Sequence, residues 1–121
     1  MERDVSSDWG IVELEPEVRD WILALDDRSW IRVLHHVGLL ARLGPNLGEP
    51  DTRQLRSKLR ELRLYIDRVP VRITYFIATG RRIILLTVFQ KDSRSAPREI
   101  ARAERAMNRC ILEGHTAGED E

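Results

Sequence analysis

Three apolar segments joined by short connections restrict the possible folds of this chain more than any other feature. The first two, 59–66 and 71–78, alternate apolar and polar residues with a period of two, which is typical of half-buried strands. The third, 83–91, is nearly all apolar, as expected of a strand that is covered on both faces. The connections at 67–70 and 79–82 are too short for a crossover between parallel strands. The sequence therefore predicts an antiparallel meander of three strands.

The first half of the chain predicts a short strand and a pair of helices. Residues 9–14 alternate weakly and indicate the strand. Apolar residues then recur at helical spacing over 16–25 and again over 30–41, which predicts two amphipathic helices. Asp26 and Asp27 are suited to cap the second helix, and Gly44 with the proline after it is suited to end it.

A connector and a last helix complete the predicted order of elements. The connector, 44–54, is rich in glycine and proline and is expected to be a flexible loop. Ser95 and Pro97 suit the cap and first turn of the last helix. The resulting order is β-α-α-β-β-β-α, a small α+β fold whose helices pack on a twisted antiparallel sheet. We expect a single domain over 1–113 and a frayed acidic tail over 114–121.

Composition narrows the class of protein. The length of 121 residues suits one domain, and apolar residues at 42% beside charged residues at 33% suffice for one core. The longest apolar stretch, 83–89, is far too short to cross a membrane, and the first residues lack the apolar run of a secretory signal. The lone cysteine, Cys110, rules out an internal disulfide framework. We expect a soluble, cytoplasmic protein.

A formal net charge of zero conceals a strong segregation of charge along the chain. Residues 1–52 carry 5 Arg against 11 acids, residues 53–109 carry 15 Lys or Arg against 5 acids, and residues 110–121 carry 4 acids. The basic segment indicates a surface for a polyanion, unless charges distant in sequence interleave in space. Lys58 and Lys91 are the only lysines. The arginine bias favours phosphate, because the guanidinium fork matches phosphate oxygens.

Strand pairing brings several charged residues together. Symmetric turns would place Arg63 opposite Thr74 and Arg72 opposite Phe89. Under this register, one sheet face carries three cations and a carboxylate near one end: Arg63, Arg72, Lys91 and Glu61. A one-residue bulge would reverse the result. The pattern is consistent with a solvated face held by ion pairs, or with a phosphate site in which the arginines stabilise a charged phosphorane.

The last helix carries a second line of cations opposite its apolar stripe. Four arginines recur there at helical spacing, and a fifth extends the line: Arg98, Arg102, Arg105, Arg109 and Arg94. They form either a solvated outer face or a surface that follows a nucleic-acid backbone. His35 and His36 lie in mid-helix without a second cluster of metal ligands, so structural roles are favoured for both. Neither a metal site nor a cofactor motif is predicted.

Three motifs follow one another along the second half of the chain and together form a recognisable family pattern: ELR at 61–63, RITY at 72–75, and LLTVFQKDSRSAPREIARA at 85–103. Their order and spacing resemble the RelE/ParE toxin superfamily. Within it, they are most similar to the HigB-like, phage-related branch of type II toxin–antitoxin toxins. The match covers about half of the chain, and the preceding pair of helices is in the order that a RelE-like fold requires.

The resemblance implies an endoribonuclease that cuts messenger RNA, usually on the ribosome, and is silenced by an antitoxin, here expected to be a helix-turn-helix protein. The implied reaction needs no metal: the ribose 2′-OH attacks the adjacent phosphate and leaves a cyclic phosphate. Arg63 and Arg72 match basic positions directed at the scissile phosphate. Lys91 matches a basic position at the end of the last strand, and Glu61 is the candidate proton acceptor.

Further residues are expected to bind RNA outside the catalytic positions: Lys58, Arg60, Arg94, Arg98 and Arg102. The position after Lys91, basic in the family pattern, is Asp92 here. Tyr65, Tyr75 and His115 are candidates for the acid that some relatives use. Two other interpretations of the same fold stay open. One is a ParE-like toxin that inhibits gyrase by binding it, and the other is a non-catalytic relative that binds an antitoxin or nucleic acid.

Overall fold

The computed structural model describes residues 8–92 and 94–114, so the predicted tail after Gly114 and the candidate His115 lie outside the described residues. In chain order the strands and helices are β1 Ile11–Leu14, α1 Pro16–Leu23, α2 Asp27–Leu43, β2 Thr52–Arg56, β3 Leu59–Ile66, β4 Val69–Ala78, β5 Arg82–Gln90 and α3 Ala96–Leu112. A short 3-10 turn, Gly44–Asn46, follows α2.

The five strands form one sheet in the order β1-β5-β4-β3-β2. The predicted α+β class and the antiparallel meander of β3, β4 and β5 are confirmed. The expectation of an antiparallel sheet throughout needs a correction at one edge, because β1 pairs in parallel with β5, with Ile11 opposite Arg82. β5 is therefore an inner strand with neighbours on both sides, which explains why its residues from Ile83 to Leu86 are all buried.

The pattern of the sequence misses β2, whose first three residues lie in the segment 44–54 that is expected to be a flexible loop. β2 pairs antiparallel with β3, with Thr52 opposite Leu62 and Arg53 opposite Glu61. It is an edge strand of the sheet, and edge strands favour polar and charged residues. Its sequence, TRQLR, consequently has a single large apolar residue and no apolar alternation to detect.

The first hairpin turns more tightly than the symmetric connection assumed from the sequence. Asp67 and Arg68 have positive φ angles of 50° and 68°, as a two-residue hairpin turn requires. Arg63 consequently faces Arg72 and not Thr74. The register differs from the prediction by two residues, and every side chain therefore stays on its predicted face.

The second hairpin has the predicted register at the end near Arg72, where Arg72 faces Phe89 and Thr74 faces Thr87. A bulge after Thr74 then shifts the pairing nearer the turn. The Thr74 hydroxyl accepts a hydrogen bond from the backbone N–H of Thr87 at 3.1 Å and lies 2.6 Å from the Thr87 hydroxyl. The two threonines thus satisfy polar groups that the interrupted ladder leaves buried.

α2 begins and ends where the sequence predicts. Oδ1 of Asp26 accepts a hydrogen bond from the backbone N–H of Ser29 at 2.8 Å. Gly44 ends the helix with a φ of 51°, and a Cβ at this position would collide with the indole ring of Trp9. Gly44 is therefore required both by its backbone conformation and by the close approach of the ring.

Two hydrophobic cores lie on opposite faces of the sheet. The core under α1 and α2 includes Val18, Val33, Leu62, Ile73 and Leu85. The core under α3 is smaller and includes Leu59, Phe76, Ile84, Leu86 and Met107. On the α3 face, this smaller core is followed toward the first hairpin turn by several polar positions, among them Glu61, Arg63, Arg72 and Thr74. They are the positions that carry the candidate site.

Candidate functional site

The centre of the candidate site is a pair of arginines that share one carboxylate. Arg63 on β3 and Arg72 on β4 occupy directly opposed positions. Oε2 of Glu61 lies 3.5 Å from Nε of Arg63 and 3.4 Å from Nε of Arg72. The side chains of Glu61 and Arg72 are each 7% exposed, and that of Arg63 is 27% exposed. These three residues, which we call the arginine cluster, share one face as the sequence predicts.

The charge of the arginine cluster is only partly compensated. Burial lowers the pKa of Arg72; Glu61 opposes this effect, and the charges of Arg63 and Arg53 add to it. Nη1 of Arg72 donates to the carbonyl oxygen of Val71 at 3.2 Å, but its buried Nε makes no hydrogen bond to any described residue. Two guanidinium groups beside one carboxylate leave a net positive charge that an anion can balance.

Arg53 is a member of this basic face that sequence reasoning missed. It lies on β2 directly opposite Glu61. Its positive charge lowers the pKa of Arg72, as the charge of Arg63 also does. The segment 52–56 has one large apolar residue and no apolar alternation, so the sequence offers no local signal that assigns a face to its side chains.

Lys91 follows β5 at the same end of the sheet. Its backbone N–H donates to the carbonyl oxygen of Pro70 at 2.8 Å, which continues the pairing of β5 with β4 by one step. The alternation from Phe89 puts Lys91 on the face of Arg72. Its side chain is exposed, and among the described residues it has no ion pair. Lys91 is therefore available to a ligand at the rim of the arginine cluster.

Asp92 has a structural role that explains an acid where the family pattern has a base. Its Oδ1 accepts a hydrogen bond from the backbone N–H of Arg94 at 2.9 Å. Its carbonyl oxygen accepts from the N–H groups of Ser95 and Ala96 at 3.1 and 3.0 Å. Ser95 is the N-cap of α3, but its hydroxyl donates to this carbonyl and makes no capping bond. Asp92 thus shapes the turn that begins α3.

Two of the predicted RNA-binding residues lie away from the arginine cluster. Arg60 is on the opposite face of the sheet, where it is half-buried and donates to the hydroxyls of Tyr75 at 3.2 Å and of Thr52 at 3.0 Å. Lys58 is exposed in the β2–β3 turn and lines a groove beside Cys110, near the end of α3. The structure does not bring either residue together with Arg63 and Arg72.

The candidates near α3 differ in how far they are already engaged. Arg102 makes a two-pronged ion pair with Glu17, at 2.6 and 3.0 Å, and a further hydrogen bond to Glu99 at 3.0 Å. Arg94 and Arg98 are exposed around the first turn of α3. Arg102 therefore links α3 to α1, whereas Arg94 and Arg98 are accessible to a ligand.

A groove extends from the arginine cluster over the edge of β3 to α2. Besides Arg63 and Arg72, it is lined by Arg32, His36, Asp51 and Tyr65. Nδ1 of His36 donates to the carbonyl oxygen of Arg32 at 3.0 Å, which leaves Nε2 as the second ring nitrogen. The sequence favoured a structural role for His36 and assigned none to Arg32. α2 and β3 meet only in the tertiary structure, so no local pattern could have predicted this groove.

Of the three candidates for a catalytic acid, Tyr65 alone lies in this groove among the described residues. Its side chain is 60% exposed. Tyr75 is buried on the opposite face, where it accepts the hydrogen bond from Arg60. Within 8–92 and 94–114, no three His, Cys, Asp or Glu side chains are close enough to hold a metal ion, and no helix is long and apolar enough to cross a membrane.

The sequence also matches a family of known proteins. Residues 20–108 match the family model described as "Phage derived protein Gp49-like (DUF891)". The match extends from α1 through the meander into α3, and the chain therefore belongs to the Gp49-like family. A search of the curated proteins finds no match.

The fold is similar to that of a solved structure from Mycobacterium tuberculosis, a chain of the crystal structure of the toxin–antitoxin complex RelBE2. The TM-score is 0.51 and the sequence identity is 20%; the alignment covers 68% of this chain and 98% of that chain. At this level of identity the likeness concerns the fold, and it confirms the RelE-like fold that the sequence predicts.

Proposed function

We propose that the protein is the toxin of a type II toxin–antitoxin system, of the HigB-like kind, and that it cleaves messenger RNA as an endoribonuclease. Membership of the Gp49-like family and the fold shared with a chain of RelBE2 support this proposal. The observation that carries it is the arginine cluster, in which Arg63 and Arg72 share one oxygen of Glu61. This arrangement has the charge and the guanidinium geometry that a phosphate diester requires.

The proposed reaction needs only groups of the protein. The 2′-oxygen of a ribose attacks the adjacent phosphorus, and the bond from phosphorus to the 5′-oxygen breaks. The products are a 2′,3′-cyclic phosphate and a free 5′-hydroxyl, with one proton taken from the 2′-OH and one delivered to the leaving oxygen. Negative charge accumulates on the pentavalent phosphorus. Arg63 donates to this charge directly, and the more buried Arg72 stabilises it mainly through its electric field.

Glu61 acts in this proposal as a positioning residue, which changes the role that the resemblance implied. Its side chain is 7% exposed, so a ribose hydroxyl does not reach it easily. Its Oε2 instead holds Nε of Arg63 and Nε of Arg72 within 3.5 Å. Fixing both guanidinium groups before RNA binds reduces the reorganisation that catalysis would otherwise require.

Proton transfer then falls to groups at the rim of the cluster. His36 lines the groove that contains Arg63, and its Nε2 can accept a proton because Nδ1 is the donor to the Arg32 carbonyl. Lys91 is exposed on the other side of Arg72 and can donate to the leaving oxygen. We assign the base to His36 and the acid to Lys91.

The proposed activity also defines the partners. The substrate is messenger RNA on the ribosome, which the protein encounters in the cytoplasm. A helix-turn-helix antitoxin would silence the toxin by covering the arginine cluster with an acidic segment. No metal or cofactor takes part in the proposed reaction.

Purified protein added to a bacterial translation extract tests the proposal. We expect translation to stop and the transcript to acquire 2′,3′-cyclic phosphate ends. Arg63→Ala should abolish both effects, whereas Arg42→Ala, which removes an exposed arginine of α2 outside the arginine cluster, should abolish neither. Intact transcripts together with blocked DNA supercoiling would indicate a gyrase inhibitor instead. Intact transcripts, active translation and salt-dependent RNA binding would indicate a non-catalytic relative.

A further inference from the structure

Two grooves meet at Tyr65 on the edge of β3. One is the groove from the arginine cluster to α2, and the other lies between the first turns of α2 and the β3–β4 turn. Arg32 and Tyr65 line both, so the two grooves adjoin at these residues and together trace one path over the surface. We call this path the α2 track and define it by the lining residues outside the cluster that carry the inference: Arg28, Arg32, His36, Tyr65 and Arg68.

The charge along these two grooves is positive. Five arginines line them: Arg28, Arg32, Arg63, Arg68 and Arg72. The acids that line them are Asp51 and Asp67, and Glu61 of the arginine cluster compensates one further charge, which leaves a net charge of +2. Arg32 and Arg68 are exposed and make no ion pair with another described residue. The acidic first half of the sequence therefore contributes basic residues to the surface beside the arginine cluster.

An exposed aromatic ring stands in the middle of the track. β2 pairs with β3 only as far as Leu62, and the N–H of Arg63 donates to the Asp51 carbonyl at 2.8 Å just beyond that point. Tyr65 therefore lies past the end of the neighbouring strand, and 60% of its side chain is exposed. An exposed aromatic ring between arginines is the combination on which bases of a single strand stack while its phosphates are neutralised.

The spacing along α2 suits an extended strand. Arg28, Arg32 and His36 recur every four residues, so they occupy successive turns and span about 12 Å along the helix axis. The line leads into the groove that contains Arg63. A single nucleic-acid strand lying along this line would continue into the arginine cluster.

We propose that the α2 track binds the single-stranded RNA that flanks the cleaved phosphate, with one unpaired base stacked on Tyr65. This inference rests on the proposed function and extends the substrate site from one phosphate to several nucleotides. An acidic protein segment would use the charges but would gain little from the exposed ring. The combination of ring and charges therefore favours RNA.

The test measures binding separately from cleavage, by using a labelled 2′-O-methyl RNA oligonucleotide that has no 2′-OH to react. Arg28→Ala/Arg32→Ala/Arg68→Ala should weaken binding and lower the slope of log affinity against log salt by about 2, since each phosphate contact on a single strand contributes about 0.7. The matched control Arg19→Ala/Arg42→Ala/Arg56→Ala removes the same charge from exposed positions elsewhere and should leave the slope unchanged. Tyr65→Ala should weaken binding about tenfold, and Tyr65→Phe should not.

Four results would overturn the α2 track: no binding by the wild type, an unchanged salt slope in the track variant, an equal change in both triple variants, or equal binding by Tyr65→Ala and the wild type. A track variant that binds the oligonucleotide normally but loses a polyglutamate peptide would assign the surface to a protein partner, which also overturns the proposal. A wild type that binds RNA through the α2 track but cleaves none would contradict the proposed endoribonuclease activity and would support RNA binding by the track.

Discussion

Arg63 and Arg72 face each other directly across β3 and β4, so two like charges occupy positions where opposite charges would stabilise the sheet. Glu61 compensates one of the two charges. The remaining repulsion is a cost to the free protein, and a bound phosphate would remove it. The stability and the activity of this site are therefore expected to respond in opposite directions to the loss of one arginine.

Arg63→Gln tests this opposition. The free energy of unfolding should stay the same or rise by up to about 1 kcal/mol, because a like-charge pair is removed. RNA cleavage should be lost, because the more exposed of the two guanidinium groups is gone. Urea unfolding and a cleavage assay on the same preparation measure both. A protein that is clearly destabilised, or one that cleaves normally, would contradict this view of Arg63.

Glu61→Gln should have the contrary effect on stability. It leaves the buried guanidinium of Arg72 without a counter-charge, and breaking a buried ion pair from one side costs about 3 kcal/mol or more. Glu104→Gln is the matched control, because Glu104 pairs with Arg56 at 2.8 Å on an exposed surface, where such pairs contribute less than about 1 kcal/mol. Equal losses in urea unfolding of the two variants would contradict the positioning role of Glu61.

The assignment of the base can be tested with two adjacent histidines. His36→Gln should lower the cleavage rate by about 100-fold or more, as the loss of a general base does. His35→Gln changes the neighbouring, exposed histidine, which lines neither groove of the α2 track, and should cleave at the wild-type rate. Affinity for the uncleavable oligonucleotide should change far less than the rate. If His36→Gln cleaved as fast as His35→Gln, the base would have to be another group.

The contribution of the Glu17–Arg102 ion pair, which links α1 to α3, to the stability of the protein should depend on pH. Burial tends to raise the pKa of Glu17, but hydrogen bonds from Arg102 and from the backbone N–H of Val88 outweigh it and lower the pKa below 4.5. A lowered pKa in the folded state adds stability above about pH 4.5, and this contribution is lost as the pH falls through the folded value.

Thermal melts of the wild type and Glu17→Gln at several pH values measure that contribution. The wild type should be more stable at pH 7, by no more than about 1 kcal/mol because the pair is partly exposed, and the difference should disappear in acid. A difference that stayed constant with pH would mean that ionisation of Glu17 does not matter.

The face of the arginine cluster could be predicted because the face of a strand residue depends only on whether its number is odd or even. The turn at Asp67 and Arg68 is tighter than a symmetric connection and pairs Arg63 with Arg72 in place of Thr74. Because this shift is an even number of residues, each side chain stays on its predicted face. The bulge after Thr74 lies toward the second turn and does not affect Arg72. Both irregularities thus spare the region that matters for the site.

Other parts of the site could not be predicted, for physical reasons. β2 lacks an apolar alternation because it is an edge strand, and Arg53 was missed with it. Arg32 and His36 reach the site only because α2 packs across β3, a tertiary contact without a local sequence signal. Arg102 fits a nucleic-acid line by spacing alone, whereas its ion pair with Glu17 spans 85 positions of the chain.

The central claim is that the arginine cluster cleaves RNA, and inducible expression in bacteria followed by primer extension on an abundant transcript tests it most directly. The wild type should arrest growth and produce new in-frame RNA ends. Arg63→Ala/Arg72→Ala should produce neither, while Arg19→Ala/Arg42→Ala, which removes the same charge from exposed helical positions, should behave as the wild type. New RNA ends that persist in the cluster variant, or growth arrest by the wild type without any new ends, would contradict the account.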